Sequence, residues 1–149
     1  MQQPAERHCP VCGANLVGAG SCDQLWYRTQ EKEFTDAGYG AVHHLSVPCY
    51  MIQHNAYSRA GFWQVRDLLQ RFVLGLEPQV FRRQEGAKQD NKQRSFSIVK
   101  GEKLNALDGR RWSFTVSDVR LENAEDYCRD VRQWAESVLV DTAELERQQ

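Results

Sequence analysis

Apolar residues recur every three or four positions through most of this chain, and that spacing predicts helices. The clearest stripe is Phe62, Val65, Leu69, Phe72, Val73 and Leu76, which falls on one face of a helix. Ser58 stands where that helix opens, and Gly75 and Pro78 stand where it ends. A second stripe is Tyr127, Val131, Trp134, Val138 and Leu145. Asn123 precedes it as a candidate N-cap, with Glu125 and Asp126 placed where the helix dipole favours acidic groups.

Upstream the signals are shorter. Cys22 to Phe34 reads as a helix with Leu25, Trp26, Thr29 and Phe34 on or near one face, capped by Ser21 and stopped by the run from Asp36 to Gly40. A short helix follows, with Ser46 as its cap, Pro48 in its first turn, and an end at His54 and Asn55. Phe96 and Ile98 alternate with serines, and Trp112, Phe114 and Val116 alternate likewise. They predict two short strands joined by a loop from Gly101 to Arg110. Residues 82–94 are polar and basic and read as a surface segment, and residues 1–8 as a loose arm. The expected class is mainly α with a small β element: a helical core plus an N-terminal knuckle-like segment.

Composition narrows this picture little. A length of 149 residues predicts a single domain, 1–149. Within it, residues 1–56 would form the metal-binding part and 57–149 a helical core with a short hairpin and a basic loop. Hydrophobic residues at 41% and charged residues at 26% exclude a disordered chain. The longest stretch free of Asp, Glu, Lys and Arg, Ala37 to Ser58, contains three histidines, which excludes a transmembrane helix. No apolar stretch lies between Met1 and His8, so the expected compartment is cytoplasmic, with no membrane partner.

Charge changes the picture locally. Residues 82–111 carry nine basic and four acidic side chains, a surplus of five, against a net charge of −1 for the whole chain. Such a segment can touch phosphate or nucleic acid. Residues 118–149 hold four basic and nine acidic side chains, so a solvated loop balancing an acidic helix is the simpler reading, and nucleic acid is not the favoured partner.

Chemistry concentrates at the start. Cys9, Cys12, Cys22 and Cys49, with His8, His43, His44 and His54, all lie in the first 54 residues, leaving only Cys128 outside. An odd number of cysteines with no export signal argues against a disulfide framework. Cys9-Pro-Val-Cys12-Gly13 places two thiolates on one tight turn, whose backbone N–H groups can face the sulfurs and whose glycine permits positive φ. A redox Cys-x-x-Cys would follow a strand and open a helix, a context absent here. Cys22, at a helix start where the dipole favours a thiolate, is the natural third ligand. Cys49 and Cys128 read as small core residues.

Structural zinc is four-coordinate, and histidine must complete the shell. The helix from Cys22 to Phe34 carries the chain roughly 18 Å away at about 1.5 Å per residue. An extended stretch over 36–43 would bring it back about 25 Å, placing His43 or His44 beside Cys22. His54 shares a helix face with Tyr50 and can instead turn inward, either beside the metal or as a hydrogen-bonded core residue. His43 and His54 are both candidates at this point, and His44 reads as more exposed.

These residues resemble a bacterial family of small proteins of unknown function. The likeness rests on the Cys-Pro-x-Cys-Gly turn, the cysteine at a helix start, and the stretch Val42-His43-His44-Leu45-Ser46-Val47-Pro48-Cys49-Tyr50-Met51-Ile52-Gln53-His54. It continues in Thr115 to Val119 and in Val131 to Val138. The resemblance implies Cys9, Cys12, Cys22, His43 and His54 as motif positions and speaks against His44. Pro48 departs from its pattern, and it brings no activity with it.

The expected function is a small zinc protein whose metal is structural and supports a binding or regulatory role. A metal-dependent hydrolase would instead need an open coordination site, with His54 and Glu31 or Glu33 as acid–base groups. A nucleic-acid module would use the cysteine turn and residues 82–111. Neither a partner nor an oligomeric state follows from the residues.

Overall fold

The computed structural model describes residues 7–148; the expected loose arm lies mostly outside them. Six α-helices follow in order: α1 (Cys22–Thr35), α2 (Ala37–Gly40), α3 (His43–Gln53), α4 (Arg59–Val73), α5 (Pro78–Asp90) and α6 (Ala124–Asp141). Three 3-10 segments, Asn105–Leu107, Val116–Asp118 and Ala143–Gln148, complete the regular structure. The chain is mainly α, and among the described residues its β element reduces to one antiparallel bridge between His8 and Asn15. Among the described residues, no helix is long and apolar enough to cross a membrane.

The two strong stripes build the core. Phe62, Val65 and Leu69 of α4 and Tyr127, Val131, Trp134 and Val138 of α6 are buried. Both helices pack against α3, which contributes Leu45, Cys49, Tyr50 and Ile52. The caps are chemical: Ser21, Ser58 and Asn123 accept the N–H groups of Gln24, Gly61 and Asp126. Helix α3 differs from expectation. It starts at His43 rather than after Ser46, because the Val42 carbonyl already accepts from Leu45 and Ser46. The Ser46 hydroxyl caps nothing and donates to Glu33. Pro48 therefore sits inside the helix, without the N–H that would reach the His44 carbonyl.

Helix α5 was not expected. Pro78 reads as a terminator but occupies the first turn, where its missing N–H costs nothing. None of its residues is buried, so it leaves no apolar stripe for a periodicity argument to find.

The predicted strands are replaced by extended straps. Ser97 and Val99 find their backbone partners on α4: the Gln64 side chain donates to the Ser97 carbonyl at 2.9 Å and accepts from the Val99 N–H at 2.8 Å. Ser58 donates to the Val99 carbonyl. Gly61 makes this close approach feasible, since a Cβ there would lie 2.9 Å from Ile98 and 3.1 Å from the Val99 carbonyl. Around Trp112–Val116 the same substitution occurs. Gln53 donates to the Phe114 carbonyl, Asp141 accepts from the Ser113 N–H, and Thr115 and Asp118 close a capping box. Side chains satisfy the peptide groups that a partner strand would otherwise take.

Charges pin the C-terminal turn. The buried Arg66 guanidinium donates to Thr142, Glu146 and the Leu139 carbonyl at 2.6–2.8 Å. Arg110 of the basic segment donates to the Asp141 carbonyl and pairs with Glu144.

Trp134 is fully buried at the centre of α6. Trp134→Ala should destabilise by about 3–5 kcal/mol. A urea series measures it, and a loss under about 1 kcal/mol would contradict its place in the core.

Candidate metal centre

Helices α1 and α3 lie side by side and antiparallel, as their side-chain pairs show. Glu33 meets His43 and Ser46, Trp26 stacks on Tyr50, Asp23 accepts from Tyr50, and Cys22 meets His54. The first residue of α1 thus lies beside the residue that follows α3.

Three local structures aim the donor atoms. The knuckle of residues 7–16 closes through Gly13 N–H to Cys9 carbonyl and Cys9 N–H to Ala14 carbonyl, both at 2.9 Å. Gly13 has φ of 81°, a region that favours glycine. The Asn15 N–H donates to the Ser117 hydroxyl at 2.9 Å, tying the knuckle to the body. Cys22 follows the Ser21 cap, where the dipole of α1 favours a thiolate. His54 ends α3 in a Schellman turn: the Asn55 N–H reaches the Ile52 carbonyl and the Ala56 N–H the Met51 carbonyl, both at 3.0 Å. Asn55 takes the positive φ, 48°, and its amide donates to Asp108 at 2.8 Å.

The result is a cluster of Cys9, Cys12, Cys22 and His54, whose ligand atoms lie within 4.8 Å of one another. The Cys12 and Cys22 sulfurs are 3.6 Å apart. His54 Nε2 lies 3.4 Å from Cys22 Sγ and 3.9 Å from Cys9 Sγ. All three cysteines are buried. The histidine ring is oriented from behind. Its Nδ1 sits 2.8 Å from the Tyr50 carbonyl, which selects the tautomer protonated at Nδ1 and leaves the Nε2 lone pair on the sulfur side. Trp26, Tyr50 and His54 form a continuous stack, with centroids at 4.3 and 4.0 Å.

Crowding splits the acidities. Cys22 is lowered to about 4, first by the hydrogen bond from Cys12 and, against burial, by His54. The same hydrogen bond and burial push Cys12 well up. Burial opposes charge on His54, but Cys22, the Tyr50 carbonyl and Cys9 outweigh it and raise the ring to about 9. Four donors, three of them sulfur, can hold a metal ion.

His43 is not in this cluster. Residues 37–40 form a helical turn rather than the extended return, and α3 itself carries the chain back. His43 therefore stands eleven residues from His54, at the opposite end of the helix, about 16 Å away. There its Nδ1 lies 2.7 Å from Glu33 Oε1. Glu33 is buried and also accepts from Ser46 and Tyr127; the burial of Tyr127, with the hydrogen bond and charge of Glu33, holds the Tyr127 hydroxyl well above its ordinary value. The acid–base pairing considered for His54 is absent too: Glu33 is engaged by His43, and Glu31 is exposed. His44 is half-buried with its edge on Phe72 at 4.9 Å. His8 is exposed with Nδ1 3.3 Å from the Gly13 carbonyl. Cys49 is a buried core thiol, pushed well up by desolvation, and Cys128 donates to the Gly38 carbonyl at the core's edge.

The buried Glu33 network escaped the sequence reading, since a lone acid in a helix carries no spacing signal. The aromatic stack behind His54 was half visible, in the i, i+4 relation of Tyr50 to His54.

Fold and site together define a small helical protein with a buried three-cysteine, one-histidine cluster built on an N-terminal knuckle. The chain belongs to a family of unknown function, DUF5946, whose model matches residues 7–143. No curated protein and no solved structure matches it.

Glu33→Ala would strand three donors, those of His43, Ser46 and Tyr127. The expected cost is on the order of 3 kcal/mol, read from denaturant midpoints. A change within experimental error would show that the network carries no stability.

Proposed function

We propose that Cys9, Cys12, Cys22 and His54 bind one zinc ion, and that the ion is structural. The observation behind this is the spacing of the donor atoms. Tetrahedral zinc with Zn–S of about 2.3 Å and Zn–N of about 2.0 Å has S–S edges of about 3.8 Å and S–N edges of about 3.5 Å. The cluster's contacts of 3.6, 3.4 and 3.9 Å fall near those lengths. Four protein donors fill a tetrahedron and leave no position for a reacting water, which favours a staple over a hydrolytic centre. The hydrogen bond behind His54 Nδ1 is the outer support a zinc histidine takes.

Such an ion joins three pieces distant in sequence: the knuckle, the start of α1 and the end of α3. Its binding free energy becomes folding free energy. The protein then serves as a metal-stabilised scaffold for a binding or regulatory role, and three thiolates on one ion suit a reducing, cytoplasmic compartment.

Elemental analysis of the purified protein should find one zinc per chain. Cys9→Ser and His54→Ala should each lose metal and lower the melting temperature, whereas His43→Ala should keep full occupancy. Chelation should destabilise the wild type by several kcal/mol, on the order expected of a structural site. Retained zinc in both Cys9→Ser and His54→Ala would refute the ligand set. X-ray absorption showing a water oxygen in the first shell would refute the structural role.

A further inference from the structure

The end of α3 opposite the cysteine cluster opens onto a cleft of about 580 Å³. Its walls come from the α2–α3 junction, the end of α4, the start of α5 and one turn of α6. Three features of this cleft point to one kind of ligand.

The first is a set of unspent donors. Arg82 and Arg132 line it from α5 and α6, both are exposed, and neither makes a hydrogen bond or ion pair to a described carboxylate. His43 lines it with a ring held at Nδ1 by buried Glu33, so Nε2 is the atom left for a ligand. His44 lies beside it.

The second is the helix start. Val42 gives α3 no side-chain cap, and the first two N–H groups of this eleven-residue helix, those of His43 and His44, stand at the cleft without an acceptor among the described residues, a setting that favours anions. The third is an apolar wall, with Phe72 and Leu76 from the end of α4 and the turn after it.

His44 is pushed down to about 4 by burial and then by Arg132, Arg82 and His43. Glu77 and Glu136 also line the cleft, both exposed, and Glu77 is already engaged by the Gln79 amide. Two guanidinium groups, two imidazoles and a helix start offer more donors than a carboxylate's two oxygens can take, and a phosphoryl group has three terminal oxygens.

We propose that this cleft binds a small organic phosphate, with the phosphoryl group held by Arg82, Arg132 and His43 at the start of α3 and the organic part against Phe72 and Leu76. The zinc reading is independent of it, because the cleft lies at the other end of α3.

Calorimetric titration of the full-length, metal-loaded protein with phenyl phosphate at constant ionic strength tests this. Saturable one-to-one binding is expected. The double variant Arg82→Ala/Arg132→Ala, which alters only exposed side chains, should weaken it by at least about tenfold. Arg83→Ala, on α5 but outside the cleft, should leave it unchanged. Benzyl alcohol should not bind, and inorganic phosphate should bind more weakly than phenyl phosphate. No saturable binding, or equal affinity in the double variant, overturns the proposal. Equal affinity for inorganic and phenyl phosphate overturns the organic part of it.

Discussion

The antiparallel pairing of α1 with α3 is the constraint on which both ends of this molecule depend. At one end it brings Cys22 to His54, and at the other it brings Glu33 to His43 and Ser46. The Trp26–Tyr50 stack holds the middle. A shift of one helical turn, about 5.4 Å, would break the sulfur–nitrogen contacts and the carboxylate network together. The register is therefore set by polar contacts at the ends and by an aromatic contact between them, while the apolar faces of α4 and α6 supply the bulk burial against α3.

Burial gives each end a different chemistry. Where sulfur and imidazole crowd together, proximity divides protons unevenly among them, and a metal ion replacing those protons would satisfy all four donors at once. Where Glu33 is buried, three donors satisfy one carboxylate and nothing further is needed. Its outward consequence is a histidine with one nitrogen committed and one free, beside a cleft with unpaired guanidinium groups. The same helix thus separates a buried cluster from an open cleft.

The straps over α4 and around Trp112 show why alternation misled. Alternating apolar and polar residues indicate an extended backbone, and extended backbone is what the chain adopts there. Alternation carries no information about which groups take the peptide hydrogen bonds. Gln64, Ser58, Gln53 and Asp141 take them, so the two straps do not pair as strands. Helix α5 fails for the opposite reason, since a helix with no buried face leaves no stripe to read.

What the residues determined alone is the class and the cysteines of the cluster. Stripes at helical spacing, caps at Ser21, Ser58 and Asn123, and the Cys9–Gly13 turn are local features, and local geometry produces them wherever they stand. The contest between His43 and His54 was not local. A tight return after Thr35 makes α3 the path back to Cys22, whereas an extended return would have delivered His43 there. Only the packing of α3 against α1, α4 and α6 decides which end of the helix meets the sulfurs, because a histidine's role follows from what the tertiary fold places three to four ångströms from its ring.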